Sequence, residues 1–242
     1  KRTPLEAVGA ALARSTNPAT VRGLFKRWAD GLSPMSFMFL LAQVITDLPP
    51  TVNRLQLLAE IGTDVGTGPL TTGIALLSVT VLFEDGRFAD AKPMVDKLLA
   101  ENPDSPDVLH AMARYLMEHP DQLTEAARLS GRVLILTPSS YPFRPVFLHT
   151  HGLIQARMGF LNQANKAFVE SLTLADQPTV RRDLARLLMQ QRNWAAAERQ
   201  IQQALAQARP SKQHDLVAEL ERMLTELPRR GDTDADTEQG NQ

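Results

Sequence analysis

Residues 86–91 read Gly-Arg-Phe-Ala-Asp-Ala, and this stretch opens a segment whose apolar residues continue at Val95 and Leu98. The pair Asn102-Pro103 closes the segment. Apolar residues three or four positions apart share one face of a helix, and a proline ends it. The stretch therefore predicts an amphipathic helix that packs through one side.

The same pattern occurs three more times along the chain. Its small residue is Ala91, Ala126, Ala164 and Ala197 in turn, at spacings of 35, 38 and 33 residues. Such a period is typical of stacked helix hairpins, because each hairpin cannot bury its apolar face alone. Arrays of this kind generally hold other molecules, so the repeat favours binding or scaffolding over catalysis.

Composition narrows the function classes further. The 242 residues are 43% hydrophobic, enough for one extended array or two small domains. With 5% aromatic residues and a net charge of −1, the chain lacks the general features of a nucleic-acid-binding surface. It has no cysteine, which excludes disulfides, zinc–thiolate sites and a cysteine nucleophile.

Helix periodicity, glycines and prolines divide the chain into short helices. The predicted helices cover 4–15, 18–31, 34–48, 51–61, 70–84, 87–101, 106–118, 121–136, 145–158, 160–175, 178–191, 193–208 and 212–226. The apolar run 35–45 is too short to cross a membrane and predicts a buried helix. The last helix is predicted to cap the array, and residues 228–242 are predicted to form a disordered acidic tail.

The hairpin pattern resembles the tetratricopeptide repeat (TPR). The four alanines match its most telling small position, Gly152 and Ala185 match a second one, and a large residue opens each second helix: Phe88, Leu123, Leu161 and Trp194. The resemblance implies an all-α, right-handed superhelical solenoid of antiparallel helix hairpins over 70–227, including the cap. Residues 1–69 are then an N-terminal helical region, either a cap or a degenerate repeat.

The resemblance also implies a concave groove lined by the first helix of each hairpin. Its usual contact positions fall here on Met112, Tyr115, His119, His149, Leu153, Arg157, Arg182, Arg186 and Gln190. The three arginines have no evident acidic neighbour except Asp183, so they either contact an acidic partner or form a solvated face. A partner helix or peptide with acidic residues at one end would complement this groove.

Three other features of the sequence have simpler interpretations. The glycines at 62–68 lack the lysine and the preceding strand of a phosphate loop, which favours a linker. His149 and His151 point apart on a helix, so neither metal nor cofactor is expected. Residues 18–31 form a basic amphipathic helix, within a local charge of +4 over residues 1–31, that either packs on the array or meets a membrane or partner.

Together these features predict a protein-interaction scaffold without enzymatic activity, with no catalytic residue assigned. It is expected to bind another protein, within a membrane-associated secretion or polysaccharide-export assembly, and not nucleic acid. A self-associating homo-oligomer and an accessory domain of a larger enzyme stay open as alternatives. The expected location is the cytoplasm. A further hypothesis is that a segment preceding Lys1 attaches the protein to the inner membrane. A periplasmic location also stays open.

Overall fold

The computed structural model describes residues 17–49 and 51–228, so the predicted helix at 4–15 and nearly all of the predicted acidic tail lie outside it. The α-helices are α1 (Pro18–Trp28), α2 (Pro34–Asp47), α3 (Arg54–Val65), α4 (Pro69–Glu84), α5 (Phe88–Glu101), α6 (Pro106–Met117), α7 (Leu123–Leu136), α8 (Arg144–Arg157), α9 (Leu161–Leu174), α10 (Pro178–Gln190), α11 (Trp194–Ala208) and α12 (His214–Glu226), and a 3₁₀ turn, Pro120–Gln122, precedes α7. The described residues contain no strand, and the predicted all-α fold class is confirmed.

The chain forms two compact units, one ending at Tyr115 and the other beginning at Leu116. This boundary falls within α6. The sequence analysis instead separates an N-terminal helical region, residues 1–69, from the repeats that follow. That division stays a prediction.

The first unit is built around α1 to α4. Phe25 of α1 lies edge-on to Phe37 of α2, with ring centroids 5.2 Å apart, and both residues are fully buried. On the polar side of α1, the Arg22 guanidinium meets Asp64 of α3 at 2.6 Å and Glu60 at 3.2 Å. The basic amphipathic segment therefore packs on the helices that follow it.

Helix α2 buries one face, where Leu40, Leu41, Val44 and Ile45 are each at most 1% exposed, whereas its Met35 and Phe39 are 70% and 56% exposed. The predicted burial thus holds for one side of this helix. The predicted end of the next helix at Gly62 is wrong. Helix α3 starts later, where the Asn53 side chain accepts a hydrogen bond from the Gln56 N–H at 3.0 Å, and it runs through Gly62 to Val65. Gly66 follows the last helical residue and has a φ of 71°, which stops the helix.

The second unit shows how the small residues of the repeat serve packing. Ala126, Ala164, Ala185 and Ala197 are fully buried, and a Cβ added at Gly152 would lie 2.5 Å from the Phe168 ring. Helices α8 and α9 form one antiparallel hairpin, and α10 and α11 form the next. The turn of the α8–α9 hairpin uses Gly159 at a φ of 81°, a conformation that favours glycine.

Helix α12 closes the second unit as the sequence predicts. Its Leu216, Leu220 and Met223 join a core with Ile201 and Leu205 of α11. Because a repeat array leaves its last apolar face uncovered, a helix of this kind supplies the missing layer. Leu220 is fully buried, so α12 is firmly docked.

Candidate functional site

The nine predicted groove residues divide between the two units. Met112 and Tyr115 belong to the first unit, and each is only 8% exposed. The Lys92 ammonium lies 5.7 Å from the centroid of the Tyr115 ring. These two side chains therefore offer a partner little surface in this structure.

The seven other predicted residues belong to the second unit, where α8 and α10 carry six of them. His119 is half-buried in the turn after α6, and its backbone carbonyl accepts a hydrogen bond from the Gln122 N–H at 2.9 Å. Leu153 is half-buried against the core that contains Phe168. Gln190 is exposed at the last position of α10.

Arg157 at the end of α8 has two partners near the start of the second unit. Its guanidinium donates to the backbone carbonyl oxygen of Met117 and lies 3.2 Å from the Glu118 carboxylate. The side chain is still 44% exposed. Arg157 is thus a neutralised but accessible group.

The Asp183 carboxylate is the centre of the polar cluster on α8 and α10, although its side chain is only 4% exposed. It lies 2.8 Å from His149 Nε2, and it accepts hydrogen bonds from Arg182 Nε and Nη2 at 2.9 and 3.0 Å. Arg186 Nη1 lies 3.5 Å away. Three predicted groove residues are therefore joined by one buried carboxylate.

Glu219 of α12 adds a second carboxylate that sequence reasoning missed. One of its oxygens lies 3.2 Å from Arg182 Nη1, and the other accepts a hydrogen bond from Arg186 Nη2. The expectation that Asp183 is the only acidic neighbour of these arginines is thus wrong. The available signal was the position of Glu219 next to Leu220, at the edge of the stripe that packs α12 on the array.

Charge pairing favours the ionised forms of Asp183 and Arg182 in this cluster. Burial alone would raise the pKa of Asp183, but hydrogen bonds from His149 and Arg182, with the Arg182 charge, hold that pKa below its ordinary value. Burial acts to lower the pKa of Arg182, and Asp183 and Glu219 outweigh it and raise that pKa. The cluster therefore contains fixed charges of both signs at neutral pH.

A cavity of about 290 Å³ borders the cluster between α10 and α12. It is lined by Arg186, Met189, Glu219, Arg222, Met223 and Glu226. Arg222 and Glu226 are exposed, and neither forms an ion pair with another residue of the described ranges. The cavity thus combines two methionines, which adapt to varied apolar shapes, with charged groups at its rim.

The two histidines of α8 face different partners. His149 meets Asp183, whereas His151 Nδ1 lies 2.8 Å from the Ser130 hydroxyl of α7. Burial lowers the pKa of His151, which favours the neutral imidazole. Within residues 17–49 and 51–228, no group of three or more histidine, aspartate or glutamate side chains is placed to hold a metal ion.

The fold is supported by comparison with solved structures, whereas comparison of the sequence found no match. No family model matches the sequence, and no curated protein matches it. The TPR protein TTC0263 of Thermus thermophilus superposes with a TM-score of 0.62 at 17% identity, covering 84% of this chain and 99% of that chain. This chain has a TPR fold.

Two further solved structures are similar to this TPR chain. PilF of Pseudomonas aeruginosa superposes with a TM-score of 0.51 at 19% identity, covering 87% of this chain and 93% of PilF. Human IFIT1, solved as a dimer with PPP-AAAA, gives 0.57 at 19% identity, covering 80% of this chain and 46% of IFIT1. At such identities the likeness concerns the fold alone.

In TPR terms, α8 and α10 are first helices of their hairpins, and α12 follows as the cap. The charged cluster thus joins the two first helices and the cap of the second unit. None of the helices in the described ranges is long and apolar enough to cross a membrane.

Proposed function

We propose that this chain is a protein-interaction scaffold whose second unit binds a helix or peptide of a partner along α8 and α10. The observation that carries the proposal is the set of accessible polar groups on these two first helices. Arg157 and Arg186 have side chains 44% and 54% exposed, and Gln190 is exposed beside them on α10. A TPR fold that presents such groups on its first helices suits the recognition of an extended partner segment.

The charge distribution supports binding by local contacts. Each exposed arginine already has an acidic neighbour, so the surface offers paired charges instead of a uniformly basic field. Long-range attraction is weak in any case, because the whole chain carries a net charge of −1. Specificity would then arise from the register of short-range polar and apolar contacts.

Site-directed photocrosslinking in the native cell tests this proposal. A photoreactive residue at Gln190 is expected to crosslink the partner, because this side chain is exposed and makes none of the cluster's hydrogen bonds. The matched control is the same residue at Arg128 of α7, which forms an exposed ion pair with Glu125 at 2.6 Å. Equal crosslinking at both positions, or none at Gln190, would contradict binding along α8 and α10.

Arg182 is a poor position for the same test. Its side chain is 24% exposed and bridges Asp183 and Glu219, so a photoreactive residue in its place would remove a link between α10 and α12. Loss of a partner in that variant could reflect loss of structure. Gln190 avoids this ambiguity.

Self-association is the second candidate function, favoured by exposed apolar side chains near the end of α7 and just before α8. Ile135 and Phe143 are 85% and 53% exposed. Arg144, the first residue of α8, donates to the Leu134 carbonyl of α7 at 2.8 Å and so ties these two helix ends together. A second copy of the chain is the partner that would cover these exposed apolar side chains.

The wider setting of the scaffold stays a proposal as well. The local positive charge of residues 1–31 is compatible with a membrane-associated assembly on the cytoplasmic side. Fractionation of native cells with the full-length protein would test this placement. Recovery of the protein only in the membrane-free fraction would contradict it.

A further inference from the structure

Two arginines of α10 converge on one carboxylate of α12. Arg182 approaches one oxygen of Glu219, and Arg186 donates to the other. Paired guanidinium groups around a carboxylate are the arrangement by which proteins recognise acidic side chains. The contact therefore has the chemistry of a ligand site, with the ligand supplied by the same chain.

We propose that Arg182 and Arg186 form a receptor site for a carboxylate of an acidic partner peptide, and that Glu219 occupies this site in the free protein. The inference rests on the proposed function, because it assumes a partner that lies along α10. It adds the chemical class of the partner and a device that limits its binding. The partner gains access when Glu219 turns away from the two arginines.

Glu219 is the exchangeable carboxylate of the cluster, and Asp183 is the fixed one. The Asp183 side chain is 4% exposed and has donors from both α8 and α10, whereas the Glu219 side chain is 18% exposed and borders the cavity of about 290 Å³. Glu219 can therefore turn into the cavity while Leu216, Leu220 and Met223 keep α12 docked. Only a side chain has to move.

The partial exposure of Arg186 sets the strength of this internal contact. An ion pair that reaches solvent is weak, so Glu219 competes with a partner without locking the site. As part of the same chain, however, Glu219 has a high effective concentration beside the arginines. A single free carboxylate is then excluded, whereas a peptide with further contacts displaces Glu219.

Arg222 supplies one such further contact. It lies on the rim of the same cavity, three residues after Glu219 and so about one turn further along α12, and it forms no ion pair with another described residue. A peptide with two or more acidic residues can meet Arg222 as well as the arginine pair. This favours an acidic segment over an isolated carboxylate.

Binding of a fluorescent oligoglutamate peptide to the full chain tests the inference by fluorescence anisotropy. Glu219→Ala should bind the peptide about three- to tenfold more tightly than the wild type, because the internal competitor is gone. The control is Glu221→Ala on the same helix, which removes the same charge from an exposed pair with Arg209 at 2.9 Å. The double variant Glu219→Ala/Arg186→Gln should lose this increase in affinity for the peptide.

Two results would overturn the inference: an equal gain in Glu219→Ala and Glu221→Ala, or no binding of the peptide by any variant. Glu219→Gln, which keeps the side-chain volume, replaces the alanine variant if urea unfolding shows that the latter has lost stability. The crosslink from Gln190 reports on the proposed function independently. A crosslinked partner together with no oligoglutamate binding would leave the scaffold function standing and remove the carboxylate site.

Discussion

At the residue scale, the contact between Gly152 and Phe168 sets how closely α8 and α9 approach. A Cβ at position 152 would lie 2.5 Å from one ring carbon and 2.6 Å from another, and the ring is itself 1% exposed. Gly152→Ala should therefore lower the free energy of unfolding by about 1–3 kcal/mol, through overpacking. Urea denaturation followed by circular dichroism measures this change.

Gly131→Ala on α7 is the matched control for that substitution. A Cβ at Gly131 meets nothing within 4 Å. Alanine is the better helix former, so this variant should gain up to about 1 kcal/mol. The same sign of change in both variants would show that backbone preference, and not the Phe168 contact, decides the result.

Asp183 makes the stability of the fold depend on pH in the acid range. Its pKa is lower in the folded chain than its ordinary value near 3.8, so the folded state binds the proton less well than the unfolded state. The carboxylate therefore stabilises the fold above that ordinary value. This stabilisation is lost as the pH falls through the folded pKa.

Asp183→Asn should abolish this acid-sensitive contribution. We expect the variant to be less stable than the wild type by about 2 kcal/mol near neutral pH, because a buried acceptor of charged hydrogen bonds is lost. The difference in the free energy of unfolding should be smaller at about pH 3, which is below the ordinary pKa of 3.8, because the unfolded wild-type chain takes up a proton there more readily than the folded chain. Urea titrations of both proteins at the two pH values measure it, and a difference that is constant with pH would refute the assignment.

Individual residues were predictable from the sequence where a repeat position fixed their role. The aligned alanines and Gly152 are buried as their small size predicts. Ser130 is a buried polar residue whose hydroxyl lies 2.8 Å from His151 Nδ1. That partner lies 21 residues away, and periodicity alone contains no information about it.

At the element scale, apolar periodicity with proline and glycine signals located the described helices, mostly to within a few residues at each end. The main failure is α3, because Gly62 was read as a helix end. A Cβ there would lie 3.6 Å from Ile74, an ordinary contact, so Gly62 is simply an interior helix residue against α4. The helix ends at Val65, because Gly66 after it has a positive φ that is incompatible with a right-handed helix.

The cap helix α12 offers a test of how far the array depends on its last element. Leu220→Ala should lower the free energy of unfolding by about 2–5 kcal/mol, since it removes a fully buried side chain from the core shared with α11. Glu221→Ala on the exposed face should change it by no more than about 0.5 kcal/mol. Chemical denaturation measures the free energy of unfolding of both variants. Similar losses in the two would mean that α12 is only loosely attached.

At the scale of the whole molecule, the repeat predicted the fold but not the state of the candidate site. Glu219 follows Asp183 by 36 residues and comes from the cap, outside the repeat pattern. Its pairing with Arg182 and Arg186 depends on how α12 docks on the second unit. Charge patterns read along the sequence therefore overestimated the free positive charge of the groove.

The oligomeric state distinguishes the scaffold from the self-associating alternative. We expect light scattering of the full chain to give the mass of one chain, 26.7 kDa, at every concentration, because scattered exposed apolar side chains are normal on monomers. Ile135→Lys should leave that mass unchanged, as should the control Gln163→Lys at an exposed position of α9. A mass that rises with concentration in the wild type and in Gln163→Lys, but not in Ile135→Lys, would instead place a homo-oligomer contact at the C-terminal end of α7.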